Sequence, residues 1–259
     1  MKLKKALQIA LRAGRQAAKI QKRNYGKNHE HKMKDGYDYA TQTDLDCESV
    51  ILKTLKKYFP ECAYVAEESE NSDRDLRAEY CWVIDPLDGT HCFANEIPFF
   101  GPMITLLHKG DPVVSVIILP MFGEEFTAIK GQGAYLNGKI IQLNKKDRVE
   151  GSQLVSSSSS SIYDMKKSSR KNFSTIFLVH SAIGMTRQIL KGHSVLGLGG
   201  AGWKIWDEVG TGLLIREAGG KTTNLQGKAL KCTSVNCYNE GTKIYATTPQ
   251  ILKKAQSYF

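Results

Sequence analysis

The chain has 259 residues, 41% of them hydrophobic and 24% charged, a globular composition with room for one large core or two smaller ones. No window approaches the apolar length of a membrane span, and Lys and Arg interrupt the N-terminal segment throughout, so neither a membrane helix nor a secretion signal is expected. The formal net charge of +10 is local: residues 1–34 carry eleven Lys or Arg against one acid, Glu30, and the rest of the chain balances. Such a segment could steer an anionic substrate or contact nucleic acid or anionic lipid. No aromatic interleaving or nucleic-acid module accompanies it, so a solvated helix face is the favoured expectation. Six cysteines (Cys47, Cys62, Cys81, Cys92, Cys232, Cys237) form no Cys-x-x-Cys pair, and no His stands near Cys232 and Cys237 to complete a zinc site. Free thiols in a reducing cytoplasm are expected.

In chain order, Leu3, Ala6, Leu7, Ala10, Ala17 and Ala18 recur at helical spacing and predict an amphipathic helix over residues 3–22. A second helix is expected to start at Thr43 with Asp46, bury Cys47, Val50, Ile51, Thr54, Leu55 and Tyr58, and stop at Pro60. A short strand over residues 62–66 runs into Glu67, and the polar stretch from Asn71 to Glu79 reads as an exposed loop. The apolar run Tyr80 to Ile84 reads as a buried strand that Pro86 closes. Three β runs follow (103–107, 112–119 and 125–129), with turns at Lys109-Gly110-Asp111 and Asn137-Gly138. Val113, Val114, Val116, Ile117 and Ile118 are too continuously apolar for a sheet with one wet face.

Ser156 to Ser161 reads as a flexible linker by composition and suggests a boundary between residues 1–150 and 151–259. In the second half, strands are expected at 175–179 and 243–247 and helices at 185–190, 206–218 and 249–258, the last with Pro249 in its first turn.

The chemistry concentrates in Asp85-Pro86-Leu87-Asp88-Gly89-Thr90. Two carboxylates three apart at a strand end can hold a hard divalent cation, and Gly89 lets backbone N–H groups approach an anion. A plain Asp-Gly turn is the alternative for a lone pair of such residues. Here a second Asp and the upstream pair Glu67-Glu68 favour a site. Asp44 and Asp207, each near an expected helix start, could join it, although either could simply satisfy a helix dipole.

Together these blocks resemble the inositol monophosphatase family of metal-dependent phosphomonoesterases, in the wider superfamily that includes fructose-1,6-bisphosphatase. The resemblance lies in Ala66-Glu67-Glu68-Ser69, in Trp82 through Thr90, in Trp206-Asp207 leading to Glu217-Ala218-Gly219-Gly220, and in Asp38-Tyr39-Ala40-Thr41-Gln42-Thr43-Asp44. It implies an α/β layered sandwich: a sheet-and-helix half over residues 1–150 with the metal loop, and a smaller α/β half over 151–259 that contributes Asp207. It also implies that Glu67, Asp85 and the Leu87 carbonyl hold one Mg²⁺ and that Asp85, Asp88 and Asp207 hold a second, with two or three ions per site. Gly89 and Thr90, with Asp88 and Asp207, would bind the substrate phosphate. Thr90, hydrogen-bonded to Asp44, would help Glu67 activate water.

A cytoplasmic homodimer acting on a small phosphorylated metabolite is the resulting expectation, with myo-inositol 1-phosphate first and histidinol phosphate or another sugar or nucleotide phosphate as alternatives. A different class of reading is a phosphatase-fold protein that binds RNA or a protein partner through its basic N-terminal helix. One departure concerns the substrate side: inositol-specific members place a glutamate near the glycine-rich stretch Gly197 to Lys204, and none stands between Gly192 and Ile205.

Overall fold

The structure is a computed structural model describing residues 1–27, 31–33, 39–69, 75–143, 148–200, 202–230, 234–235 and 241–259. In chain order its elements are α1 (Leu3–Asn24), β1 (His31–Met33), β2 (Tyr39–Thr41), α2 (Gln42–Tyr58), β3 (Ala63–Ala66), β4 (Tyr80–Asp88), α3 (Thr90–Ala94), β5 (Gly101–His108), β6 (Asp111–Leu119), β7 (Glu124–Ile129), β8 (Ala134–Leu136) and β9 (Lys139–Ile141). They continue with β10 (Ser152–Ser156), α4 (Ser159–Tyr163), β11 (Phe173–Leu178), α5 (Ala182–Leu190), β12 (Leu196–Gly199), α6 (Ile205–Glu217), β13 (Lys221–Asn224), β14 (Lys243–Ala246) and α7 (Pro249–Gln256).

Strands β3 to β9 form a seven-stranded sheet in sequence order, antiparallel except for the parallel pair β3–β4. A second, five-stranded sheet runs β11-β10-β12-β14-β13. Helices α1 and α2 cover one face of the large sheet, α5 and α6 lie between the two sheets, and α7 covers the outer face of the second. This is the expected α/β sandwich. Period-two alternation assigns the faces: Val114, Val116 and Ile118 of β6 pack with α1 and α2, while Ile117 and Leu119 join the core around α5 and α6. The unbroken apolar run of β6 thus reflects burial on both sides. Helix α1 meets the sheet through small residues, Ala6, Ala10, Ala13, Gly14 and Ala17, and keeps its Lys and Arg outward. A Cβ at Gly14 would stand 2.9 Å from Ile118 Cδ1, so a larger residue there would require the end of that side chain to move. No described helix is long and apolar enough to cross a membrane.

Four expectations change. Helix α2 starts two residues early, because Thr41 is its N-cap: the Thr41 hydroxyl accepts from Thr43 N while Asp44 accepts from Thr41 N, a reciprocal cap that Thr43 and Asp46 do not make. Pro86 does not end its strand; β4 runs to Asp88 with a shift of register between Asp85, opposite Met103, and Asp88, opposite Gly101. A bulge lets proline stay in a strand and re-aims the neighbouring side chains. Within the segment from Asn71 to Glu79, residues 71–74 lie outside the described set, and Asp75–Arg77 form a 3₁₀ turn that buries Leu76 rather than an exposed loop.

The serine run is no linker. Ser156 ends β10 and Ser158 caps α4. The hydroxyl of Ser156 donates to the Ser158 carbonyl, that of Ser157 to the Leu198 carbonyl and that of Ser161 to the Gly199 carbonyl, from buried positions. Composition cannot distinguish such hydroxyls from solvated ones. Cys47, Cys62, Cys81 and Cys92 are free thiols, whereas Cys232 and Cys237 fall outside the described residues.

Candidate metal centre

The bulge of β4 sets the centre. Asp85 is 2% exposed, and its Oδ1 accepts the Leu87 N–H at 2.9 Å, which fixes the carboxylate against its own loop. Parallel pairing of β3 with β4 continues one step beyond the strand through Glu67 N to Ile84 O, so Glu67 arrives beside Asp85 and its carboxylate acts on it. Asp207, in the first turn of α6, comes from the far side of the cleft, with its Oδ2 accepting the Lys204 N–H at 2.8 Å. Oxygens of Asp85, Asp88 and Asp207 lie within 4.8 Å of one another.

That arrangement is costly without a cation. Burial, and then the carboxylates of Glu67, Asp88 and Asp207, push the Asp85 pKa well above the ordinary carboxylate range. Asp88 is also raised by burial, but less freely, because Ser181 and the N–H groups of Ile183, Ala182 and Gly89 donate to it. An all-oxygen donor set of clustered carboxylates suits a hard divalent cation such as Mg²⁺, which would reverse this penalty. The residues therefore fit the implied metal.

Asp88 also joins the two parts of the chain. Its Oδ2 accepts from Ser181 Oγ at 2.6 Å and Ile183 N at 2.7 Å, and its Oδ1 from Ala182 N at 3.1 Å, so the carboxylate sits on the first turn of α5. Ser181 is also the N-cap of α5, accepting from Gly184 N. We expect Ser181→Ala to cost about 2 kcal/mol, because a cap and a hydrogen bond to a buried charge are lost together. In thermal unfolding that is a fall of roughly 4–8 °C for a chain of this size. An unchanged midpoint would show that the contact carries no stability.

Asp44, fully buried, accepts from Thr41 N and the Thr41 hydroxyl on Oδ2 and from Thr90 Oγ1, at 3.0 Å, on Oδ1. Thr90 Oγ1 also lies 3.1 Å from the Leu87 carbonyl. One hydroxyl proton cannot serve both acceptors at once. With that proton on Asp44, the Thr90 oxygen presents lone pairs and the Leu87 carbonyl is available to a cation.

Gly89 has φ +79°, a conformation glycine adopts without strain, and starts α3. The residue stands at the N-terminus of α3, between Asp88 and Thr90. Asp38, the first residue of the matching N-terminal segment, lies outside the described residues.

The cleft over these groups has a volume of about 400 Å³ and is lined further by His91, His180, Gly202, Lys204 and Trp206. Sequence reasoning did not single out His91, His180 or Ser181. Ser181 had a detectable signal, as the hydroxyl residue before a helix, but the two histidines had none. The stretch after Gly197 is held from behind: Gly200 N donates to Ser157 Oγ, and Nζ of the fully buried Lys243 donates to the Gly200 carbonyl at 3.3 Å. A larger cavity of about 650 Å³ flanks α6 around Lys109, Lys130 and Arg216, away from the metal ligands.

The family model described as "Inositol monophosphatase family" matches residues 2–258. The chain is 32% identical over 238 residues to the "Nus factor SuhB" of Pseudomonas aeruginosa, covering 85% of this chain and 86% of that protein. It is 28% identical over 265 residues to "Inositol monophosphatase 1" of Solanum lycopersicum, covering 96% and 92%. Among solved structures, the extragenic suppressor protein suhB from Bartonella henselae superposes with a TM-score of 0.86 at 26% identity, covering 98% of this chain and 97% of that one. The inositol monophosphatase from Anabaena superposes at 0.79 with 25% identity, covering 100% and 96%.

Proposed function

Since the chain belongs to the inositol monophosphatase family, we propose that it is a Mg²⁺-dependent phosphomonoesterase of a small phosphorylated metabolite, with myo-inositol 1-phosphate as the reference ester. The observation that carries the reading is the convergence of Asp85, Asp88 and Asp207 oxygens within 4.8 Å, with Glu67 beside Asp85.

Glu67, Asp85 and the Leu87 carbonyl would hold one Mg²⁺, and Asp85, Asp88 and Asp207 a second. When bound, the two ions neutralise the phosphate, lower the pKa of water and stabilise the departing alkoxide. Thr90, with its proton on Asp44, accepts a hydrogen bond from the attacking water and orients it, and Glu67 stands beside Asp85 to receive a proton. Thr90 N–H, at the start of α3, is the backbone donor proposed for the phosphate. Free thiols at Cys47, Cys62, Cys81 and Cys92 support a reducing compartment such as the cytoplasm. A homodimer belongs to the same reading through the family likeness alone.

The test is phosphate release with Mg²⁺, with and without EDTA, from myo-inositol 1-phosphate, histidinol phosphate, fructose 1,6-bisphosphate and phosphoadenosine phosphate. We expect release that EDTA abolishes. The Mg²⁺ concentration for half-maximal rate should rise as the pH falls, because the raised pKa of Asp85 lets protons compete with the metal. Release insensitive to EDTA would overturn the metal assignment.

A second reading has one supporting observation: Lys4, Lys5, Arg12, Lys19, Lys22 and Arg23 of α1 are exposed together. The relatives named "Nus factor SuhB" make a binding role for this chain worth testing. RNA binding with steep salt dependence, together with no Mg²⁺-dependent release, would put that reading first.

A further inference from the structure

Apart from the metal ligands, the cleft lining has a different chemistry. The acids among its described lining residues are Asp85, Asp88 and Asp207 of the metal cluster and Glu67 beside Asp85. The polar side chains that remain beyond Thr90 are His91, His180 and Lys204, and the indole of Trp206 provides an apolar wall. These three come from three separate segments. His91 follows Thr90 in α3, His180 precedes α5, and Lys204 precedes α6. The two imidazoles are neighbours, with ring centroids 6.0 Å apart and planes tilted by 33°.

Both residues are exposed, and local contacts act on the His91 ring and on the His180 backbone. His91 Nδ1 lies 2.7 Å from Asn95 Nδ2, one turn further along α3, which orients the ring and sets its Nε2 as the atom turned from Asn95. His180 has φ +46°, a left-handed conformation that histidine adopts more readily than most non-glycine residues. The surroundings here include the thiol of Cys92, which donates to the Val179 carbonyl at 3.2 Å and reaches the His180 carbonyl at 3.8 Å. Burial pushes that thiol up to about 12, so it stays a protonated donor. The residue next to His91 therefore acts on the backbone of His180.

An ester bound with its phosphate at the carboxylate cluster must direct its alcohol portion toward this wall. A polyol recognised through its hydroxyl protons needs acceptors, and an amine needs a carboxylate. Outside the acids at the metal centre the described lining has no carboxylate, and its side-chain acceptors are limited to Thr90 Oγ1 and a neutral imidazole nitrogen. An ammonium group and imidazole N–H groups instead donate, and the wall is matched to an acceptor that carries negative charge.

We propose that His91, His180 and Lys204 form the leaving-group side of the cleft and select phosphate esters whose alcohol carries a second anionic group, a carboxylate or a further phosphate. This rests on the phosphatase reading and narrows it.

A two-carbon series tests it: 2-phosphoglycolate, ethylene glycol bisphosphate, 2-hydroxyethyl phosphate and O-phosphoethanolamine, each with saturating Mg²⁺ and the full-length protein. We expect at least one of the two esters bearing a second anion to exceed 2-hydroxyethyl phosphate at least tenfold in kcat/KM, mainly through KM, with phosphoethanolamine slowest. The first two esters tell carboxylate from phosphate. His180→Ala and Lys204→Met, checked for an unchanged unfolding midpoint, should each reduce the anionic-to-neutral ratio at least threefold. His91→Asn, which keeps a donor, should reduce it less than His91→Ala. Equal rates for anionic and neutral esters, or folded variants that keep the wild-type ratio, would overturn the assignment while leaving the phosphatase reading standing. No release from any ester here or from the metabolites above would overturn both.

Discussion

Asp85→Asn is expected to reduce Mg²⁺-dependent phosphate release by about 10³-fold or more, the loss of roughly 4 kcal/mol of charge stabilisation at the reacting phosphate. The same substitution should make the metal-free protein more resistant to unfolding. Asp85 is 2% exposed and surrounded by Glu67, Asp88 and Asp207, so ionising it in the folded state is unfavourable. Asparagine has the same shape, keeps an oxygen for the Leu87 N–H and adds no charge.

The pH dependence follows from the raised pKa. Between the ordinary carboxylate range and that raised value the folded state binds more protons than the unfolded state, so metal-free stability falls as pH rises through the window. The advantage of the Asp85→Asn variant should therefore be largest above the window and vanish on acidification below the ordinary carboxylate range. Thermal unfolding in EDTA across pH, paired with phosphate release in Mg²⁺, measures both effects. A variant that is inactive yet less stable than wild type at neutral pH would show that Asp85 holds the fold together rather than straining it.

Gly89→Ala should be the most damaging single-methyl change near the site, costing about 2–4 kcal/mol of stability and about 10²-fold or more in activity. Two causes add. The residue sits at φ +79°, and a Cβ there would stand 2.5 Å from the Phe99 carbonyl oxygen and 3.2 Å from Ser181 Oγ. A backbone oxygen cannot rotate away, so the loop between Asp88 and Thr90 must shift and take both side chains with it. Gly110→Ala is the control: φ is +82° but nothing lies within 4 Å, leaving only the left-handed strain of about 1 kcal/mol. Urea unfolding of both variants, with activity measured alongside, separates the causes. Equal destabilisation at the two positions would mean that the contact with Phe99 and Ser181 is not made in solution.

Short-range patterns were legible wherever the deciding interaction was itself local. Lys109-Gly110 and Asn137-Gly138 have positive φ at both residues and turn the hairpins β5–β6 and β8–β9 where the sequence places them. The alanine stripe of α1 and the two-faced apolar run of β6 were readable for the same reason. Strands β8, β9, β12 and β13 were not anticipated. Each has only three or four residues, too few for a period-two signal to stand out, and their pairing partners supply the missing stabilisation. The serine run was misread because a hydroxyl buried against a strand carbonyl has the same composition as one in water.

The sequence by itself determined the chemical type of the centre. Asp85, Asp88, Gly89 and Thr90 lie on one short loop, so their proximity depends on covalent connection and one bulge. The resemblance named Glu67, Asp207 and Asp44 as the loop's partners, and only the tertiary structure decided how such distant groups reach it. Glu67 arrives through the register of β3 on β4, Asp207 through the packing of α6 beneath the same sheet, and Ser181 through a bond to Asp88 across 93 positions of chain. The substrate-facing wall of His91, His180 and Lys204 exists by the same route, since three segments with no mutual sequence pattern meet only after the two sheets have packed against α5 and α6. The physical reason is that side-chain periodicity encodes which face of an element is buried, whereas long-range partners are set by sheet register and layer packing.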